Sequence, residues 1–122
     1  MPDNRKFIIG WLTCRPGKRD ELVALAGPYV AACRAEDGCL FFEMNPSIHD
    51  PDVVTVAECF ASAGAHEVHL QQEAFRTLWG RLPDLCLTGR FENIFADHVE
   101  SDSVDFTAPD RKPGARAEAG YP

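Results

Sequence analysis

Four segments of the chain have the apolar, β-branched and aromatic character of β-strands. They are Phe7–Cys14, Cys39–Asn45, Val53–Phe60 and Arg90–Val99. The second and third are separated by residues 46–52, where two prolines and two aspartates indicate a turn. These two strands are therefore predicted to form a hairpin.

Apolar residues at spacings of three and four predict helices between the strands. In Lys18–Ala35 these residues are Leu22, Leu25, Ala26, Tyr29, Val30 and Cys33. Pro28 lies inside this helix, where its missing N–H is expected to cause a kink. Ser62 is a suitable N-cap for a second helix, Ala63–Gln72. A further helical segment, Glu73–Leu82, is expected to end before Pro83.

The resulting order, β-α-β-β-α-β, is that of the α+β ferredoxin-like fold, a four-stranded antiparallel sheet with its helices on one face. Strand aromatics such as Trp11, Phe41 and Phe60 make both faces of this sheet apolar. A large apolar face exposed to water is typical of an interface. We therefore expect two copies to pack sheet against sheet as a homodimer.

The composition changes near residue 100. Residues 1–99 are predicted to form one domain, and residues 100–122 an extended Pro/Ala-rich tail that cannot bury enough surface to order itself. Val104 and Phe106 are the two tail residues able to dock on the body or on a second subunit. Deletion of Ser101–Pro122 is expected to leave the body folded.

The charge and the cysteine content limit the classes of function that this protein can have. Twelve Lys and Arg against nineteen Asp and Glu give a formal net charge of −7, which argues against nucleic-acid binding and against a polybasic membrane surface. No apolar run approaches the roughly 18 residues that span a bilayer. The N-terminus lacks the pattern of a signal peptide. Five cysteines without a CxxC pair favour reduced thiols in a cytoplasmic protein.

Three groups of residues together resemble the antibiotic-biosynthesis monooxygenase domain family over roughly Phe7 to Phe95. They are Arg15–Leu22, Glu36–Phe41, and Glu58 with Ser62, Ala65 and His69. The resemblance implies a dimeric α+β barrel. It also implies a monooxygenase that oxidises an aromatic quinol or polyphenol with O₂ and without a metal or flavin cofactor.

The sequence departs from common patterns of this family at three positions. Ala74 stands where many members have a second histidine, and Phe60 where many have tryptophan. Gly10 stands near the asparagine of the haem-degrading branch, which argues against haem. Two other functions therefore stay open: a non-catalytic small-molecule-binding or stress-response protein, and an isomerase-type or lyase-type relative.

His69 is the first candidate for a catalytic residue, since it matches the recurrent histidine of the family and an imidazole can accept a phenolic proton. Glu58 is the second, as a proton acceptor or as a group that orients His69. The alternative roles are structural: a His69–carboxylate hydrogen bond, and an ion pair of Glu58 with Arg90 or Arg76. His66 lies one helical turn before His69, but no third metal ligand is evident, so no metal is predicted.

Aromatic side chains provide the predicted substrate-binding residues. With His66, they are Trp79, Phe60, Phe75 and Trp11. Such side chains can hold a flat ring by stacking in an apolar cavity. Trp79 is expected near the mouth of that cavity. The alternative is that these residues serve only core and dimer packing.

Overall fold

In a computed structural model, which describes residues 3–108, three helices pack against one five-stranded antiparallel sheet. The elements are β1 (Lys6–Cys14), α1 (Arg19–Arg34), β2 (Cys39–Pro46), β3 (Val53–Phe60), α2 (Ala63–Leu70), α3 (Glu73–Leu85), β4 (Cys86–Ile94) and β5 (Val99–Asp105). The strand order is β2-β3-β1-β4-β5. The predicted ferredoxin-like fold is confirmed, with one strand more than expected.

The central strand β1 shows why the sheet has an inner and an outer face. Its nine residues alternate between buried and partly buried positions, since side chains in a strand point alternately to opposite faces. Ile8 and Leu12 belong to the inner set and join the core with Tyr29 of α1 and Trp79 of α3. The core therefore lies between the sheet and the helices.

The third helix is longer than the sequence predicted. α3 ends at Leu85 and includes Pro83, instead of ending before it. A proline in the last turn removes only one hydrogen bond, and the Arg15 guanidinium donates to the Pro83 carbonyl oxygen at 2.9 and 3.1 Å. Within residues 3–108 no helix combines the length and the apolar character needed to cross a bilayer.

The chain after α3 also differs from the prediction. β4 begins at Cys86 and ends at Ile94. Val99, the predicted end of the last strand, and residues 100–105 of the predicted tail form β5 along the edge of β4. Val104 is the only buried residue of β5, so the strand has no alternating apolar pattern in the sequence. Val104 and Phe106 are buried, and the Phe106 ring lies 5.3 Å from that of Trp79. Residues 109–122 of the predicted tail lie outside the described residues.

The outer face of the sheet carries an aromatic surface. Phe7 and Phe41 lie 6.2 Å apart by ring centroids, and the Arg90 guanidinium lies 4.7 Å above the Trp11 ring. Phe41 is 41% exposed. We call this surface, defined by Phe7, Trp11, Phe41 and Arg90, the outer face.

We expect Phe106→Ala to lower the free energy of unfolding by about 3–5 kcal/mol, the usual cost of truncating a buried phenylalanine, because Phe106 is only 3% exposed and packs on Trp79. Urea unfolding followed by circular dichroism measures the loss. Ser103→Ala, at an exposed position of β5, is the control. Equal stability of the two variants would contradict the docking of this segment. By the same reasoning, deletion of residues 101–122 is now expected to destabilise the body.

Candidate active site around His69

His69 is completely buried on the inner side of α2. The helix begins where the sequence predicted, because the Ser62 side chain accepts a hydrogen bond from the Ala65 amide at 3.0 Å. Aromatic rings surround the imidazole: the centroids of Phe42, Phe60 and Phe75 lie 5.1–5.5 Å away. An imidazole in such surroundings needs partners for both ring nitrogens.

Both nitrogens of His69 have a partner. Nδ1 lies 3.1 and 3.2 Å from the two carboxylate oxygens of Glu36, and Nε2 lies 3.2 Å from the Tyr29 hydroxyl. An ionised carboxylate only accepts hydrogen bonds, so Nδ1 carries the proton and Nε2 accepts from Tyr29. We call this arrangement the Glu36–His69–Tyr29 chain.

A close contact between backbones brings Glu36 to His69. Glu36 follows the C-terminus of α1, and its amide donates to the Cys33 carbonyl oxygen at 3.1 Å. Two residues later, a Cβ atom added at Gly38 would lie 2.4 Å from the Cβ of Ala65. Only glycine therefore lets this turn touch α2, which places the carboxylate next to the imidazole.

Burial controls the charge states in this region. It lowers the pKa of His69 below its ordinary value of 6.5, although the hydrogen bond that His69 donates to Glu36 acts in the opposite direction. His69 is therefore neutral at pH 7 and able to accept a proton. Burial likewise raises the pKa of the Cys33 thiol far above its ordinary value, and this outweighs the opposite effect of its hydrogen bond with Tyr29.

A second polar group lies next to this chain. The Lys6 ammonium lies 2.9 Å from His66 Nδ1, and the two imidazole rings of His66 and His69 stack at 5.9 Å. Burial raises the pKa of Glu58 to about 8, against the opposing charge of Lys6. Within residues 3–108, Oε1 of Glu58 has no hydrogen-bond partner, and no salt bridge joins this residue to an arginine.

The space between sheet and helices is nearly filled. A cavity of about 20 Å³ remains there, lined in part by Glu58, Trp79 and Phe91. This volume holds about one water molecule. A Cβ at Gly10 would lie 2.7 Å from a ring carbon of Phe91, so the Phe91 ring occupies the room that the glycine leaves.

A larger space lies on the other side of Tyr29. A groove of about 510 Å³ runs between α1 and α3, with Leu25, Pro28 and Leu78 among its lining residues and Glu73 and Arg81 as its charged ones. Tyr29 and Leu78 line both the groove and the inner cavity. A ligand in this groove can therefore contact Tyr29, the residue whose hydroxyl ends the Glu36–His69–Tyr29 chain.

The structure brings most of the predicted site residues together. His66 and His69 pack on Phe60, and Phe75 stacks on Trp79 at 5.8 Å. Trp79 is 2% exposed and packs between Phe75 and Phe106, not at a cavity mouth.

Trp11 is separate from these residues, because it lies on the outer face of the sheet. Tyr29 and Glu36 were not among the predicted site residues. A tyrosine on the otherwise aliphatic inner face of α1 was the available signal, since a buried hydroxyl requires a partner.

We expect the change that Glu58→Gln makes in the free energy of unfolding to be about 4 kcal/mol more favourable at pH 8 than at pH 5. The folded carboxyl, with a pKa of about 8, holds a proton that the unfolded chain, near 4.5, releases. Wild-type stability therefore falls as the pH rises from 4.5 to 8, and the variant lacks this loss.

Urea unfolding at both pH values measures this difference, with Glu43→Gln at an exposed position of β2 as the control. The same pH dependence in wild type and Glu58→Gln would contradict the raised pKa.

The comparisons with known proteins agree on the fold. The family model described as antibiotic biosynthesis monooxygenase matches residues 7–79. No curated protein matches this chain. The crystal structure of PA3566 from Pseudomonas aeruginosa is 23% identical, with a TM-score of 0.73 over 78% of this chain and 96% of that one.

Two further crystal structures are similar. Protein SO0527 from Shewanella oneidensis is 22% identical, with a TM-score of 0.72 over 81% of this chain and 93% of that one. A structure described as an antibiotic biosynthesis monooxygenase is 21% identical, with a TM-score of 0.69 over 75% of this chain and 97% of that one. At these identities the structures show a shared fold, and the family match shows membership. The chain belongs to the antibiotic biosynthesis monooxygenase family.

Proposed function

We propose that this protein is a monooxygenase that needs no cofactor and acts on an aromatic quinol or polyphenol, with the Glu36–His69–Tyr29 chain accepting the phenolic proton. One observation carries the proposal: a neutral, buried imidazole is hydrogen bonded to a carboxylate on one side and, on the other, to the hydroxyl of Tyr29, a residue that lines the groove. A carboxylate on Nδ1 stabilises the imidazolium that forms when Nε2 takes a proton.

The proton transfer follows from this geometry. A phenol bound in the groove gives its proton to the Tyr29 oxygen as the Tyr29 proton moves to His69 Nε2. The phenolate then transfers one electron to O₂, and the two radicals combine at an activated ring carbon as a peroxide anion. This anion takes back the proton from His69 through Tyr29 and becomes a hydroperoxide. Loss of water from that carbon leaves a carbonyl group. The substrate supplies all four electrons, one oxygen atom stays in the product and the other leaves as water.

The groove suits such a substrate in size and chemistry. Its volume of about 510 Å³ lies within the range of small-molecule sites, roughly 300–1,000 Å³. Leu25, Pro28 and Leu78 offer apolar contacts to a flat ring, and Arg81 offers a cation to a phenolate or carboxylate. In this proposal the packing of Phe75, Trp79, Phe60 and His66 holds the imidazole in position. Glu58 is a second proton acceptor at the inner cavity.

The second candidate function is non-catalytic binding of a small molecule in the same groove. The inner cavity of about 20 Å³ favours it, because no ring fits beside His69 unless side chains move. A ligand would then contact Tyr29 and Leu78 without any transfer of a proton.

We expect His69→Ala to reduce O₂ consumption with an anthrone or hydroquinone substrate by roughly 100-fold or more, the usual contribution of a general base. Tyr29→Phe removes the hydroxyl that joins the substrate to the imidazole and is expected to lower kcat more than it changes KM. An oxygen electrode, with no metal added, measures both variants. His98→Ala, an exposed histidine, is the matched control.

The pH profile and two further outcomes separate the candidates. Because the pKa of His69 is lowered, activity is expected to persist below pH 6.5 and to be lost only when the imidazole becomes protonated. Absence of O₂ uptake, with equal ligand affinity in wild type and His69→Ala, would favour the binding protein. Turnover without O₂ would favour the isomerase-type or lyase-type relative.

The outer face supports a further part of the proposal, a homodimer formed sheet against sheet. Phe41→Glu is expected to yield a monomer of about 13.5 kDa where the wild type has about twice that mass. Light scattering after size exclusion measures the masses. Val23→Glu is the control, because Val23 is 39% exposed on α1 while Phe41 is 41% exposed on the sheet. A wild-type monomer at micromolar concentration would refute the dimer.

A further inference from the structure

Within residues 3–108, one group of possible metal ligands is present, although the sequence predicted no metal site. Donor atoms of Cys33, Glu36 and His69 all lie within 4.8 Å of one another. The sequence offered only the His66–His69 pair and no third ligand. The fold instead supplies two ligands from the end of α1, where Cys33 and Glu36 lie three residues apart on the side that faces α2.

The chemistry of these three side chains fits one kind of ion. Thiolate, carboxylate and imidazole are the usual ligands of zinc, and three protein ligands leave a fourth position open. In a tetrahedral site the donor atoms lie roughly 3.3–3.7 Å apart, given zinc–ligand bonds of about 2.0–2.3 Å. Glu36 and His69 are already 3.1 Å apart. The carboxylate is 16% exposed, which leaves it room to rotate toward the sulfur.

We propose that Cys33, Glu36 and His69 bind one divalent transition-metal ion of the zinc type. The two anionic ligands balance the double positive charge, so that the ion can be buried without net charge. The ion replaces the proton on Nδ1 of His69 and releases the proton of the Cys33 thiol.

The surroundings already contain an outer partner and a path to solvent. When the ion occupies Nδ1, the proton moves to Nε2 and the Tyr29 hydroxyl, 3.2 Å away, accepts it. Histidine ligands usually donate their second N–H in this way. A surface groove of about 500 Å³ between the end of α1 and α2 reaches Glu36, with Ala35, Val68 and Gln72 among its other lining residues.

Metal binding and the proposed proton transfer use the same imidazole. A bound ion occupies the nitrogen that Glu36 otherwise stabilises, so a loaded site cannot accept the phenolic proton. The metal site itself does not rest on the proposed function, because metal binding is measured without any substrate.

Titration of the metal-free full chain with cobalt(II) tests the site. We expect one ion per chain at micromolar concentration, with intense visible bands of a four-coordinate ion and a near-ultraviolet thiolate-to-cobalt absorption. Zinc is expected to displace the cobalt. Cys33→Ser should abolish the thiolate absorption, and Glu36→Gln and His69→Ala should weaken binding by roughly 10-fold or more.

Cys39→Ser is the matched control, because Cys39 is another free thiol at the start of β2, outside the ligand group. Circular dichroism shows whether each variant is folded, and Glu36→Gln keeps the size and a hydrogen-bonding oxygen of the original side chain. Three results would overturn the proposal: no saturable binding by the wild type, thiolate absorption that persists in Cys33→Ser, or equal loss in Cys39→Ser.

Discussion

The hydrogen bonds on both sides of the His69 ring stabilise the buried polar groups in the interior of this protein. Each buried nitrogen left without a partner would cost about 1–3 kcal/mol. Glu36 and Tyr29 remove that cost, and both come from the region of α1 while His69 lies on α2. The same two contacts therefore pack the helices and set the tautomer of the imidazole.

The free space left between the sheet and the helices limits where a ligand can bind. Phe91 covers Gly10, and Phe106 from the segment after β5 packs on Trp79, so the interior between sheet and helices is almost closed. A buried ring would need a void of several hundred Å³. The open space instead lies outside Tyr29. Tyr29 thus lies between this groove and the buried imidazole, and its hydroxyl contacts the ring.

Two buried titratable side chains add a cost that packing alone does not explain. Lys6 and Glu58 are both at least 95% buried, and burial raises the pKa of Glu58 to about 8. Such a group destabilises the fold at neutral pH relative to an apolar side chain. Strongly shifted carboxyl groups are concentrated at functional sites, and Glu58 lines the inner cavity directly behind Tyr29.

Most of the fold was predictable from local patterns. The alternation in Val53–Phe60, the spacing in α1 and the cap at Ser62 each depend on residues close in sequence, so they identified the strands, the helices and the ferredoxin-like order. β5 was not predicted, because Val104 is its only buried residue and its pairing with β4 is what makes it a strand. The family resemblance drew attention to His69, but nothing local indicated what surrounds it.

The sequence by itself therefore determined the first four strands, the helices and their ferredoxin-like order. Only the tertiary structure decided that Glu36, Tyr29 and Cys33 meet His69, and that the chamber behind it is nearly filled. The physical reason is that periodicity records which face of an element is buried. Distances between side chains of different elements depend instead on how closely those elements pack, as at Gly38 against Ala65.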